Sequence, residues 1–137
     1  MPGKTHSFPR RLRLQHALQF DGVYAGKVRD SRGPLTVFAI PNDLGHPRLG
    51  LSVGRRVGSA VRRNRVKRLL REAFRLLQHD LPHGYDVVIN VRPHEPALLA
   101  DYQRLLAGAM LKLHRTWEKR QGDTGGGGGG DAPLTPA

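Results

Sequence analysis

The sequence predicts an α+β fold, a layer with three helices packed on a small sheet of three or four strands. Three observations carry this. Helical and extended patterns follow one another in the order helix, strands, helix, strand, helix. Arg48 to Val53 alternates Leu49, Leu51 and Val53 against Gly50 and Ser52, the period of a strand with one buried face. Ala97 to Lys119 places Leu98, Leu99, Tyr102, Leu105, Leu106, Ala109, Leu113 and Trp117 mostly on one helical stripe. At 137 residues the chain fits one domain, with one modest core.

The elements follow in order. Leu14 to Ala25 carries Leu14, Leu18 and Phe20 to Tyr24 at helical spacings, and Gly26 closes it. A short strand at Lys27 to Asp30 is weakly marked. Leu35 to Ile40 is rich in strand formers and stops at Pro41. Asn42 to Pro47 is a loop of turn residues, and Gly54 to Ser59 connects the next strand, Arg48 to Val53, to a long helix from Ala60 to His79. After a turn at Leu81 to Gly84, Tyr85 to Val91 is the most apolar strand and is expected at the centre of the sheet. Pro93 to Pro96 leads into the last helix.

The folded domain is expected over residues 9–119, with a mobile arm at 1–8 and mobility reaching toward Arg13. Residues 120–137 read as a disordered Gly/Pro-rich tail, because Gly125 to Gly130 has nothing to bury and much backbone entropy to lose. A phosphate-binding loop would need a preceding strand, a following helix and usually a Lys.

Charge sets the class of partner. The chain holds 23 Lys and Arg against 11 Asp and Glu, a net charge of +12. That balance points to a polyanion, most often nucleic acid. Cys is absent, which excludes disulfides, Cys-ligated zinc and thiol nucleophiles. No run approaches a membrane span, so no membrane partner is expected. The first residues lack the apolar centre of a signal peptide, and a cytoplasmic location is expected.

The charge is concentrated. Gly54 to Arg75 holds nine basic residues, namely Arg55, Arg56, Arg62, Arg63, Arg65, Lys67, Arg68, Arg71 and Arg75, against one acid, Glu72. On a helix, Val66, Leu69, Leu70, Ala73 and Leu77 share one face, and Phe74 and Leu76 flank them. Asn64, Lys67, Arg68, Arg71 and Arg75 fall opposite, as a continuous cationic ridge. Arginines crowd the helix N-terminus, where partial positive charge favours acids instead. Ser59 is a suitable N-cap, but Arg62 three residues on precludes a capping box. A solvated charged face would leave these like charges repelling at i,i+3 and i,i+4. Contact with nucleic-acid phosphates explains them better.

The run Gly50-Leu51-Ser52-Val53-Gly54-Arg55-Arg56-Val57-Gly58-Ser59-Ala60-Val61-Arg62-Arg63-Asn64-Arg65-Val66-Lys67-Arg68-Leu69-Leu70-Arg71-Glu72 closely resembles the signature of the protein component of bacterial ribonuclease P. Its core is Arg63-Asn64-Arg65 followed by Lys67, Arg68 and Arg71. Weaker likeness extends through Leu14, Phe20, Tyr24, Phe38 and Tyr85 to Val91. The resemblance implies an α/β sandwich with a small central sheet of about four strands and three helices, like ribosomal protein S5 domain 2, with a left-handed βαβ crossover that general rules would not favour. It implies an enzyme subunit that binds a catalytic RNA and the 5′ leader of precursor tRNA, one protein per RNA. The RNA would perform the hydrolysis and hold the magnesium, with none bound by the protein alone. It further implies that Arg55, Arg56, Arg62, Arg63, Asn64, Arg65, Lys67, Arg68 and Arg71 contact the catalytic RNA, and that Phe20, Tyr24 and Phe38 line a leader cleft. For Phe20 and Phe38 ordinary packing stays an open alternative, and for Leu51 packing is favoured.

The residues offer no chemistry of their own for cutting RNA. The acids are scattered, whereas a two-metal nuclease clusters carboxylates. Of the seven His, only His79 and His83 lie close, and Pro82 interrupts them. No protein catalytic residue and no protein metal site is therefore expected. A ribosomal or assembly protein bound to structured RNA would share the composition. A DNA-binding protein would need a helix-turn-helix partner that the flanking strands do not provide.

Overall fold

The structure is a computed structural model that describes residues 10–80 and 84–125, with side chains through residue 120. Four strands, β1 (Arg29–Arg32), β2 (Leu35–Pro41), β3 (Arg48–Val53) and β4 (Tyr85–Val91), form one mixed sheet in the order β1-β2-β4-β3. β2 runs antiparallel to β1 and β4, and β3 runs parallel to β4. The helices are α1 (Ala17–Ala25), α2 (Ala60–Leu77) and α3 (Leu99–Gly125). This is the α+β arrangement that the element order predicts. β3, α2 and β4 make the crossover unit between adjacent parallel strands.

Strand parity sorts the side chains into two layers. Tyr85, Val87, Ile89 and Val91 of β4 join Leu35, Val37 and Ala39 of β2 in the main core. Val66, Leu70, Ala73 and Phe74 of α2 and Tyr102, Leu106, Ala109, Met110 and Leu113 of α3 close that core from one side. Val88 of β4 points the other way, into a smaller cluster with Leu14 and Val23. Phe20, Tyr24, Phe38 and Ile40 are only half-buried there. α1 has nine residues against 27 in α3, so it covers only part of its sheet face. The rest stays open.

One glycine permits that second layer. A Cβ on Gly50 would stand 2.5 and 2.7 Å from two ring carbons of Phe20. Gly50→Val therefore displaces the ring or the strand, and lowers stability by about 1–3 kcal/mol. Urea unfolding measures this; an unchanged midpoint would mean that Phe20 swings away freely.

The two buried acids are tied down. Asp86 accepts from Arg48 Nε at 2.9 Å and Nη2 at 2.7 Å, and from Asn42 Nδ2 at 2.7 Å. These bonds pin the 42–47 loop to the end of the sheet and hold the Arg48 guanidinium above its ordinary pKa, chiefly through the hydrogen bonding. Asp30 engages Arg32 and Lys112.

β3 and β4 span the expected residues, and Leu51 packs against the main core as expected. Other boundaries move for identifiable reasons. α1 begins at Ala17 rather than Leu14, because the Leu14 N–H donates to the Leu49 carbonyl, and Arg13 bridges to Leu49 at the β3 edge. Gln19 Oε1 instead accepts from the Gln15 and His16 N–H groups and starts the helix there. Within the stretch expected to be mobile, Arg10–Leu12 forms a 3₁₀ turn, and Leu12 is buried in the main core. The arm expected at 1–8 lies outside the described residues. The edge strand is Arg29–Arg32 rather than Lys27 to Asp30, since Lys27 takes a left-handed conformation (φ 59°) that turns the chain out of α1. α2 ends at Leu77, two residues early. α3 starts at Leu99 and continues past Lys119 to Gly125, so the expected tail opens as helix; residues 126–137 lie outside the described residues.

Candidate nucleic-acid interface

The start of α2 is shaped by its own turn. Val57 is buried and anchors the 3₁₀ turn Arg55–Val57, leaving Arg55 and Arg56 exposed. Gly58 follows at φ 146°, where a Cβ would stand 2.5 Å from Arg62 Cδ. Ser59 Oγ accepts from the Arg62 N–H at 3.2 Å, the expected N-cap. Arg63 Nε donates to the Gly58 carbonyl at 3.2 Å, and Arg62 lies 3.5 Å from Glu95. Two arginines are thus folded back on the turn, and Asn64, Arg65 and Arg68 project into solvent.

The cationic ridge is shorter than the helical wheel predicts. Arg75 is taken by Glu72, one turn back, through Nε at 3.0 Å and Nη2 at 2.5 Å. Those bonds raise its pKa and satisfy its charge. Lys67 and Arg71 are half-buried rather than fully presented. Burial, and secondly the positive charge of Arg13, pull the Arg71 guanidinium below its ordinary pKa. Arg13 and Arg71 therefore lie close enough for one cation to act on the other. Arg13 reaches this position through the bridge to Leu49, which no helical periodicity could signal.

A second surface lies on the opposite face of the sheet. Tyr24 donates its hydroxyl to Asn90 Oδ1 at 2.8 Å, and its ring meets Phe38 edge-to-face at 4.9 Å. Phe20 lies over Gly50. The Arg29 guanidinium sits 5.9 Å from the Phe38 ring centroid. The structure therefore brings together Phe20, Tyr24 and Phe38, half-buried and half-open, and adds Asn90 and Arg29, which sequence reasoning missed. Pre-positioned aromatic faces beside a cation can stack unpaired bases without demanding a sequence.

Neither surface has the donors of a hydrolytic metal centre. Among the described residues, no three His, Asp or Glu side chains converge on one point. The two buried carboxylates already serve Arg48, Asn42, Arg32 and Lys112. Among the described residues, no helix is long and apolar enough to cross a membrane.

A family model described as Ribonuclease P matches residues 8–119. The chain belongs to the ribonuclease P protein family. The match spans every strand, α1, α2, both candidate surfaces and most of α3, and it places the chain in tRNA processing. The solved structures agree on the fold. A Staphylococcus aureus RNase P protein mutant with defective mRNA degradation activity is 25% identical, with a TM-score of 0.66 over 77% of this chain and 90% of that one. The Thermotoga maritima RNase P protein is 28% identical, with a TM-score of 0.63 over 69% and 90%. The same protein in complex with 1-(4-fluorophenyl)-2-thiourea is 30% identical, with a TM-score of 0.58 over 74% and 95%. The resemblance carried by the Arg63-Asn64-Arg65 run is thus a family relationship, and the ribonuclease P protein fold is the one these residues build.

Proposed function

We propose that this chain is the RNA-binding subunit of ribonuclease P, holding the catalytic RNA along α2 and the 5′ leader of precursor tRNA across the open sheet face. The observation that supports this most is the solvent-facing cationic end of α2, with Asn64, Arg65 and Arg68 exposed and Arg55 and Arg56 beside them. Arg62, Arg63, Lys67 and Arg71 complete the surface for the catalytic RNA. Phe20, Tyr24 and Phe38 take leader bases, whose stacking suits a leader of variable sequence.

In this reading hydrolysis belongs to the RNA, which also holds the magnesium. Among the described residues no donor set fits a resident metal, because the buried acids are spent on arginine, lysine and Asn42. The protein contributes charge and position. Two polyanions must approach one another, and a chain of net charge +12 lowers their repulsion. One protein per RNA suffices, because a single copy carries both surfaces.

Cleavage of a radiolabelled precursor tRNA at low magnesium tests this, with protein alone, cognate ribonuclease P RNA alone, and both. The expected result is efficient cutting at the mature 5′ end only by the combination, with stimulation that shrinks as salt rises. Cutting by protein alone would overturn the division of labour. Tight RNA binding without stimulation would point to another structured RNA.

A further inference from the structure

A second cationic feature lies away from α2. An open groove of about 530 Å³ runs between β1 and the C-terminal half of α3. Arg32 of β1 lines it, with Gly108, Leu111, Lys112, Arg115 and Lys119 of α3. β1 and β3 are the two edges of the sheet; α2 packs beside β3, and α3 lies over β1 and β2. The groove and the α2 surface are therefore at opposite edges.

Several details shape the groove for an anion. Asp30, only 8% exposed, holds Arg32 and reaches Lys112 Nζ at 3.4 Å. Gly108 leaves room for the Arg32 guanidinium against the helix, since a Cβ there would stand 2.7 Å from Arg32 Nη1. Arg115 and Lys119 have no acidic partner among the described residues. Together with Lys112 they repeat at i, i+3 and i+7, a like-charge stripe about 10 Å long that opposes helix formation. Leu111 leaves 47% of its surface exposed among these charges. A solvated helix face accounts for scattered Lys. It does not account for a cationic stripe with an apolar spot and a guanidinium fixed from below.

We propose that this groove binds the phosphodiester backbone of an RNA segment separate from the one that α2 faces. Phosphates lie along Arg115 and Lys119, the two cations with no acidic partner among the described residues; Lys112 and Arg32, which share Asp30, border the groove, and Leu111 meets a ribose or base face. The proposal rests on the reading that the chain's partners are RNA. It adds a second, independent phosphate contact, so that the protein clamps two RNA segments from opposite sheet edges. Catalytic RNA and precursor tRNA offer the same backbone chemistry, and the test separates them.

The full-length Arg115→Gln/Lys119→Gln variant leaves the Asp30 ion pairs intact, so the fold is undisturbed; thermal melting checks this. Its binding is measured across a salt titration beside the wild type and Arg68→Gln. One probe is cognate ribonuclease P RNA binding the protein; the other is precursor tRNA binding the assembled holoenzyme. Loss of two phosphate contacts lowers the slope of log K against log salt by about 1–2, and the affinity at 0.1 M salt by about tenfold or more. That loss on either probe supports the groove and names its RNA. Wild-type slopes on both probes, with Arg68→Gln showing its own loss, would overturn the groove alone. A wild type that binds neither RNA would overturn the underlying reading as well.

Discussion

Replacing Arg65 and Arg68 by alanine weakens binding of ribonuclease P RNA by about 10- to 100-fold at 0.1 M salt, and leaves the fold at least as stable. Both side chains are exposed and neither donates a hydrogen bond within the described residues. Each phosphate contact removed takes about 0.7–0.9 from the salt slope, which is a factor of roughly six at that salt. Stability moves the other way. Alanine is the best helix former, and removing Arg65 and Arg68 relieves an i,i+3 repulsion. A titration of the RNA and a thermal melt of the same sample read both effects. A fall in melting temperature with unchanged binding would mean that these arginines hold the protein together instead.

Asp86→Ala produces the largest expected loss of stability, about 2–3 kcal/mol in urea unfolding at neutral pH. Breaking a buried ion pair costs about 3–5 kcal/mol, and the 23% exposure of the Arg48 side chain reduces that figure. The substitution strands a half-buried guanidinium and frees Asn42, which otherwise holds the 42–47 loop. Asp86→Asn keeps the shape and part of the hydrogen bonding, so it is expected to lose less. A loss below about 1 kcal/mol for the alanine variant would show that water replaces the carboxylate.

What the sequence makes legible follows from how local each signal is. β3 and β4 announce themselves through alternation and an apolar run, and α2 through the spacing of Val66, Leu70, Ala73 and Phe74. β1 is Arg-Asp-Ser-Arg and has no apolar signal; it is a strand because it pairs with β2, from Arg29 opposite Phe38 to Arg32 opposite Leu35. Leu14 fits a helical spacing, but its N–H is claimed by a strand. Half of the candidate interface was readable as a charge cluster with a family motif. The rest depends on distant residues meeting. Tyr24 and Asn90 are 66 residues apart, and Arg13 reaches Arg71 only because the chain lies along the β3 edge. For Arg75 a wheel shows direction but not that the neighbouring Glu72 consumes the charge.

In β4, Val88 and Ile89 are consecutive, fully buried and turned to opposite faces of the sheet. No compliant layer separates α1 from the α2–α3 pair; one pleat of backbone divides them. Interiors packed this closely transmit displacement rather than absorb it. Packing of this kind makes the sandwich a gauge of thickness. The aromatic face and the cationic face of α2 are separated by the sheet, one layer of core side chains and the width of the helix. A change of volume at Ile89 would be felt at the floor beneath Tyr24 and Phe38, so tolerance to substitution in this strand is a matter of calibration as much as of stability.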